Sequence, residues 1–269
     1  MKKLPIGLVI EGNLTASALL RLPAITSELG PIKSSGLQVA TRVSNFLDSG
    51  HGVATYGELR SARTILIRIP DGAVDRVVSE IRKAELVWEE HAFVLCETWV
   101  PTERLEPLRE LGATIASLVS LPTGNEKTFV LEGDLAAVRQ LRRVIERANV
   151  RSIELKQGTK QLLFAATLLC SAIPTPLLLM AQQLLREGGL SGNQLAAVIE
   201  HISAEMLAAF LKGARMTWGG PLAEHLKTTN GEYWDDLDAT HPEVAKTLRT
   251  LIELGRDQMT PKLSRGHGA

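Results

Sequence analysis

The first 155 residues combine short apolar runs with stretches that have helical spacing of apolar positions. The apolar runs predict strands at Ile6–Ile10, Leu37–Ala40, Thr64–Ile69, Phe93–Glu97, Ala113–Val119, Thr128–Leu131 and Ile153–Leu155. Helical spacing predicts helices over Asn13–Leu29, Val43–Asp48, Ala73–Ala84, Leu105–Leu111 and Asp134–Ala148. Alternating strands and helices predict an α/β fold, with a mostly parallel sheet covered by helices on both faces.

After about Lys156 the pattern predicts helices alone, and hence a second, all-α domain. The expected helices are Leu162–Arg186, bent at Pro174 and Pro176; a helix capped by Ser191 and running to about Lys212; and one from Pro242 to near Met259. Trp218–Pro221 reads as a turn, Tyr233-Trp234 as part of a polar connection, and Thr260–Ala269 as a fraying tail. We therefore expect domains at 1–156 and 157–269.

The uncharged run from Gln161 to Leu185 is long enough to cross a bilayer. Pro174 and Pro176 interrupt it, and Gln182 lies near its end. These interruptions favour a buried, bent helix over a membrane span, so we expect no membrane partner.

Composition narrows the possible functions further. Lys plus Arg and Asp plus Glu number 30 each, and this zero net charge argues against non-specific nucleic-acid binding. Cys96 and Cys170 are isolated in apolar runs, which indicates free thiols rather than a disulfide framework or a metal site. The short apolar stretch at the N-terminus is not typical of a signal peptide, so we expect a cytoplasmic protein.

The N-terminal strand leads into a glycine-containing turn, as in a phosphate loop. The three glycine positions of a G-x-G-x-x-G pattern are occupied by Ile10, Gly12 and Thr15. The candidate phosphate-binding residues are Gly7, Gly12, Asn13 and Leu14. Alternatively, the loop is a packed turn that has lost its ligand. Because a β-branched residue resists positive φ, we expect Ile10→Gly to raise dinucleotide affinity.

Two further groups of residues follow predicted strands. Thr41, Arg42 and Ser44 follow the strand predicted at Leu37–Ala40, and no acid accompanies them. An arginine here favours the 2′-phosphate of NADP, although a solvated surface arginine is an alternative. Pro70 and Asp71 lie at a strand end where ligands bind in open α/β folds, or they form a plain turn with an aspartate cap.

Several ordered segments resemble one group of dehydrogenases. These are Ile65–Ala73, similar to a strand followed by V-P-D; Leu108–Ala113 with Ser117–Pro122, similar to L-x-x-x-G-A…S-L-H-P; Leu131–Asp134, L-E-G-D; and Trp218–Ala223, similar to L-T-G-P-x-A. The group includes pyrroline-5-carboxylate reductase, ketopantoate reductase, deazaflavin-dependent NADP oxidoreductase and 6-phosphogluconate dehydrogenase. The layout resembles more closely a family of Rossmann-like proteins with a helical C-terminal domain of unknown function.

The resemblance implies an NADP cofactor, a helical domain like that of 6-phosphogluconate dehydrogenase, and a homodimer formed through the C-terminal helices. In related hydroxyacid dehydrogenases a lysine on the first long helix transfers a proton, with an asparagine four residues later. Lys160 matches that lysine, but position 164 is Phe. Ser120 is the second candidate for proton transfer, and a solvated lysine at the helix start is the alternative interpretation of Lys160.

Two hypotheses remain open. The first is an NADP-dependent reductase of a small carbonyl or imine, with the nicotinamide between the domains. The second is a non-catalytic ligand sensor or assembly protein, which is favoured by the altered glycine pattern and by Val119-Ser120 where the family has His-Pro. His201 and Glu205 share a helix face without a third ligand nearby, so no metal site is predicted.

Overall fold

The computed structural model describes residues 6–13, 17–84, 86–121, 128–212 and 232–259. Its contacts divide the chain into two compact units, Met1–Leu168 and Leu169–Ala269. The predictions made for Leu14, Thr15, the Trp218–Ala223 turn and the tail after residue 259 lie outside the described residues.

The first unit is built on one eight-stranded sheet. Its strands are β1 (Ile6–Ile10), β2 (Leu29–Lys33), β3 (His51–Gly52), β4 (Thr64–Arg68), β5 (Ala92–Cys96), β6 (Thr114–Leu121), β7 (Thr128–Gly133) and β8 (Arg151–Glu154). They lie in the order β3-β2-β1-β4-β5-β6-β7-β8, and every neighbouring pair is parallel except β6–β7. The prediction of a mostly parallel sheet is confirmed.

Helices cover both faces of this sheet. They are α1 (Pro23–Thr26), α2 (Leu37–Leu47), α3 (Val74–Lys83), α4 (Glu106–Arg109) and α5 (Leu135–Arg147). Helix α6 (Lys160–Cys170) follows β8 and is mostly exposed apart from Lys160. Because side chains alternate across a strand, Leu8 and Ile10 of β1 join the apolar cluster under α1, α2 and α5, whereas Val9 joins the cluster under α3 and α4.

The region between β1 and β3 differs from the prediction. Leu37–Ala40 is not a strand but the first turn of α2, in which Leu37 and Val39 are exposed and Ala40 is buried. The second strand is instead Leu29–Lys33. The predicted helix Asn13–Leu29 is also wrong: its described part holds one turn of 3-10 helix and the four-residue α1, which begins at Pro23.

The second unit is helical. It contains α7 (Pro174–Glu187), α8 (Gly192–Lys212), α9 (Glu232–Thr240) and α10 (Pro242–Met259). The predicted single helix Leu162–Arg186 is two helices, because a proline ring cannot continue the hydrogen bonding of the preceding turn and Pro174 begins a new helix. Tyr233-Trp234 lies within α9 rather than in a connection, and the Trp234 ring faces the Arg249 guanidinium at 5.2 Å.

The apolar helices are exposed rather than buried. Two helical stretches, Lys160–Glu187 and Gly192–Lys212, are long and apolar enough to cross a membrane by length and composition. Large side chains along them are open to solvent within the single chain, among them Leu162, Leu169, Leu179, Ile202, Leu207 and Leu211. The run from Gln161 to Leu185, predicted as a buried, bent helix, is therefore mostly exposed within the single chain.

Candidate functional site

The strand order reverses between β1 and β4, and ligands of open α/β sheets bind in the crevice at such a point. Gly12 follows β1 with a φ of +87°, a conformation that side chains rarely adopt. A Cβ atom on Gly12 would lie 3.6 Å from Cγ of Pro70, which follows β4. The structure thus brings together two residues that were predicted separately.

Ile10 is a regular residue of β1 rather than part of a strained turn. It pairs with Arg68 of β4, its side chain is buried, and its carbonyl oxygen accepts a 2.6 Å hydrogen bond from Ser34 Oγ. It is not among the residues with positive φ. The physical reason given for an affinity gain in Ile10→Gly is therefore wrong, and that substitution would remove core volume instead.

Gly7 lies inside β1, where its lack of a side chain serves packing. A Cβ atom there would meet Cβ of Ala62 at 3.2 Å and Cγ1 of Ile65 at 3.3 Å. These distances are tighter than most real Cβ contacts. The structure therefore gives Gly7 a role in bringing β4 and its preceding turn close to β1.

A pocket of about 360 Å³ opens between the loop after β1 and helix α2. Its lining residues are Ile10, Glu11, Gly12, Ser34, Val39, Arg42, Val43 and Phe46. Of the predicted group after the second strand, Arg42 lines this pocket. It does so from the second turn of α2, not from a strand end.

The two hydroxyl groups predicted beside Arg42 hydrogen bond to backbone carbonyls. Thr41 Oγ1 donates to the Leu37 carbonyl oxygen at 2.9 Å, within the helix. Ser44 Oγ donates to the Gly50 carbonyl oxygen at 2.8 Å and ties the end of α2 to the approach of β3. Both are helix residues, so their predicted position after a strand is wrong.

Strand β2 ends at Lys33, and Ser34 follows it. Sequence reasoning missed these two residues because it misplaced the strand. Lys33 is buried, and its ammonium lies 4.9 Å from the centre of the Tyr56 ring. Ser34 faces the opposite side, toward Ile10. The residues that follow β2 are Ser34, Ser35 and Gly36, so no carboxylate occupies the position that would hold the ribose hydroxyls of NAD.

An ion pair joins the ends of β4 and β5. Arg68 Nε donates to Glu97 Oε2 at 2.9 Å, and the Leu19 backbone N–H donates to Glu97 Oε1 at 2.9 Å. Both side chains are mostly buried, and Glu97 has a φ of +54°. A charged residue directly after a buried strand was the available signal for this pair. Nearby, Asp71 accepts a hydrogen bond from Thr98 Oγ1.

Lys160 begins α6, and its side chain is only 1% exposed. Within the described part of the chain its Nζ atom has no hydrogen-bond partner. Burial lowers the pKa of this amine from 10.5 to about 8, against the opposing attraction of nearby carboxylates, chiefly Glu132 and Glu103. The alternative of a solvated lysine is excluded, whereas a catalytic role stays a prediction.

Glu132 of β7 positions the start of α6. Its Oε1 accepts the backbone N–H groups of Thr159 at 2.7 Å and Lys160 at 3.0 Å. Its Oε2 accepts the Thr102 hydroxyl at 2.7 Å, and that hydroxyl lies 2.9 Å from Ser117 Oγ. The buried carboxylate thus satisfies otherwise unpaired helix donors and places a negative charge near the Lys160 amine.

The two residues after Glu132 explain the rest of the L-E-G-D stretch. Gly133 has a φ of +136°, and a Cβ atom there would lie 2.4 Å from the Ile115 carbonyl oxygen. Asp134 accepts the Ile115 backbone N–H and Arg109 Nη2, both at 2.8 Å. The stretch therefore fixes β7 against β6 and, through Glu132, supports Lys160.

Two further residues from the sequence analysis are Ser120, the second candidate for proton transfer, and Phe164, which stands where the related dehydrogenases have an asparagine. Ser120 lies opposite Phe129 in the β6–β7 pair, while Ser117, not Ser120, is connected to Lys160 through Thr102 and Glu132. The Phe164 ring, one turn after Lys160, packs on the Trp99 ring with centroids 5.1 Å apart.

No family model matches the sequence, and a search of curated proteins finds no relative. Solved structures do match over nearly the whole chain. An imine reductase from Myxococcus stipitatus in complex with NADP+ is 15% identical, with a TM-score of 0.66 and 94% of each chain covered. An imine reductase from Aspergillus terreus, in complex with NADPH4 and dibenz[c,e]azepine, is 16% identical, with a TM-score of 0.65 and 96% and 95% covered.

A reductive aminase from Aspergillus terreus, in complex with NADPH and ethyl-5-oxohexanoate, is 17% identical. Its TM-score is 0.60, and 94% of each chain is covered. At these identities the likeness concerns the fold. The chain therefore has the Rossmann-like fold of these reductases, with a helical C-terminal region.

Proposed function

We propose that this protein is an NADP-binding oxidoreductase that reduces a small imine or carbonyl compound. The pocket between Gly12, Ser34 and Arg42 carries the proposal. It lies at the carboxyl ends of β1 and β2, beside the switch point of the sheet where dinucleotides bind in this fold. Gly12 leaves the backbone open to close approach, and Arg42 offers a cation to a 2′-phosphate.

The fold neighbours support the same assignment. The imine reductases and the reductive aminase named above were solved with NADP+, NADPH4 or NADPH, and two of them with dibenz[c,e]azepine or ethyl-5-oxohexanoate. The first is an imine and the second a keto ester. We take the substrate of this chain to belong to the same broad chemical class.

Reduction of a C=N or C=O bond requires a hydride at carbon and a proton at nitrogen or oxygen, and NADPH would supply the hydride when bound. We propose that Lys160 supplies the proton. With a pKa of about 8, its amine is mostly protonated at neutral pH yet gives up a proton more readily than a solvated lysine. Ser120 stays a prediction as a second proton carrier.

Arg42→Ala should weaken NADPH binding about tenfold and leave NADH binding unchanged, because only NADPH carries the 2′-phosphate that the guanidinium would hold. Thermal shifts measured against a series of concentrations of each nucleotide report both affinities. The wild type should be stabilised more by NADPH than by NADH, and the variant equally by both.

Arg139→Ala is the matched control, since Arg139 is an exposed arginine of α5 that does not line the pocket. It should keep the wild-type preference. Equal loss in both variants would assign the effect to general surface charge. A wild type that millimolar NADPH and NADH leave unshifted would overturn the proposal and favour a non-catalytic ligand sensor or assembly protein.

We also propose a cytoplasmic homodimer in which the apolar faces of α6, α7 and α8 are covered by a second copy. Exposed leucines follow one another along these helices, and an open apolar surface of this extent marks a protein or membrane contact. A groove of about 440 Å³ between α7 and the start of α10 adds to this surface. The zero net charge gives no reason to expect a nucleic-acid partner.

Light scattering during size exclusion should therefore give twice the mass of one chain. Leu179→Glu on α7 should shift the protein to monomer by placing a charge in the contact, whereas Leu135→Glu on α5, at an equally exposed leucine, should leave the dimer intact. A monomeric wild type at micromolar concentration would contradict the dimer. Recovery of the protein only with the membrane fraction would contradict it too.

A further inference from the structure

Glu11 places a carboxylate at the mouth of the candidate dinucleotide site. It follows β1 directly, its backbone N–H donates to the Arg68 carbonyl oxygen at 3.1 Å, and it lines the pocket beside Gly12. Its side chain accepts a 2.6 Å hydrogen bond from Arg76 Nη2 and is 17% exposed. A carboxylate next to a phosphate loop disfavours an anionic ligand unless its charge is neutralised.

Arg76 lies in the first turn of α3, the helix that follows β4. The Glu11–Arg76 pair therefore connects the loop after β1 with the helix after β4, across the crevice where the strand order reverses. Arg76 Nη1 also donates to Glu80 Oε1 at 3.0 Å. Two carboxylates thus hold a half-exposed guanidinium beside the site.

The hydrogen-bonded group formed by Glu11, Arg76 and Glu80 extends toward the end of β2. Glu80 accepts the Tyr56 hydroxyl at 2.9 Å, and the Tyr56 ring lies under the Lys33 ammonium. Glu80 therefore keeps Arg76 in place from the α3 side whether or not Glu11 is paired with it. Glu11 lines the pocket, whereas Arg76 and Glu80 are not among its lining residues, so the Arg76–Glu11 bond is the one that a phosphate entering the pocket can replace.

We propose that Arg76 is a phosphate-binding residue that Glu11 engages until a dinucleotide arrives. On binding, Nη2 exchanges the Glu11 carboxylate for an oxygen of the dinucleotide diphosphate, while Nη1 stays on Glu80. No bond other than hydrogen bonds is made or broken. Glu11 thereby competes with the ligand for Arg76 and sets the affinity of the site. This inference rests on the proposed function.

Glu11→Gln should raise NADPH affinity about tenfold, because it removes a like charge and releases Arg76. Arg76→Ala should lower affinity by a similar factor. In the Glu11→Gln background, Arg76→Ala should still lower NADPH affinity about tenfold, because no Glu11 charge is left for Arg76 to neutralise and the loss then reports its own contact with the ligand. Isothermal titration with NADPH measures all four proteins, and unfolding curves check that each is folded.

Arg82→Ala is the control, because Arg82 lies on the same helix and pairs with Glu110 at 3.3 Å. It should leave NADPH affinity unchanged. A loss from Arg76→Ala that disappears in the Glu11→Gln background would overturn the exchange, as would no gain from Glu11→Gln in a protein that binds NADPH. Failure of the wild type and of Glu11→Gln alike to bind NADPH would overturn the proposed function as well.

Discussion

Lys160→Met should stabilise the folded protein by about 3 kcal/mol at pH 7. The lysine amine is buried without a hydrogen-bond partner among the described residues, and its pKa falls from 10.5 to about 8 on folding. The unfolded chain therefore binds the proton more tightly than the folded one. A difference of about 2.5 pKa units corresponds to about 3 kcal/mol, which the wild type loses by keeping the charged amine buried.

The destabilisation caused by the buried Lys160 amine should depend on pH. The penalty is fully present below pH 8 and disappears as pH rises through 10.5, because the amine is then neutral in both states. Urea unfolding at pH 7 and above pH 10.5 should show a gain in Lys160→Met that shrinks strongly at the higher pH. Lys156→Met, at an exposed lysine, should show no such gain.

A destabilised Lys160→Met variant, or a gain equal at both pH values, would contradict this account of Lys160. The expected result would also bear on function. A buried amine that costs stability at neutral pH is readily explained if its proton is used in chemistry, since functional sites commonly trade stability for activity.

Glu132→Ala should destabilise the protein by about 3 kcal/mol or more. Its buried carboxylate accepts hydrogen bonds from the backbone of Thr159 and Lys160 and from the Thr102 hydroxyl. The two backbone donors would lose their acceptor, and the hydroxyl would keep only Ser117 Oγ. The Lys160 amine would also lose its main attracting charge. Denaturant unfolding at pH 7 measures the loss, and Glu110→Ala, at an exposed glutamate, is the control.

The double variant separates the two contributions of Glu132. In the Lys160→Met background, the helix donors still lose their acceptor, but no buried cation is left without a counter-charge. The cost of Glu132→Ala should therefore be smaller there than in the wild type, by about 1 kcal/mol or more. Equal costs in the two backgrounds would show that Glu132 supports α6 without acting on the Lys160 amine.

The local pattern of apolar positions was sufficient to predict those helices and strands in which these positions repeat regularly. Helices α3 and α5 and strands β1, β4 and β5 lie within a residue or two of the predicted bounds, because their apolar positions match one period only. Strand β2 could not be found this way. Its sequence, Leu-Gly-Pro-Ile-Lys, contains two residues that are rare in strands, while the more apolar Leu37–Ala40 lies in the amphipathic helix α2.

Some residues of the candidate site could likewise be predicted from local sequence, and others could not. Gly12, Pro70 and Arg42 could be predicted, since a turn glycine, a strand end and a nearby arginine are local features. The burial of Lys160 and its support by Glu132 could not, because they depend on contacts between residues 28 apart in sequence. The Arg68–Glu97 pair, 29 residues apart, was missed for the same reason.

Isothermal titration of NADPH into the wild-type protein tests the central claim most directly. We expect saturable binding with one site per chain, weaker binding of NADH, and displacement of bound NADPH by NADP+, because the pocket at Gly12 and Arg42 is suited to the phosphorylated dinucleotide. The absence of binding heat with millimolar NADPH at several temperatures would contradict the account.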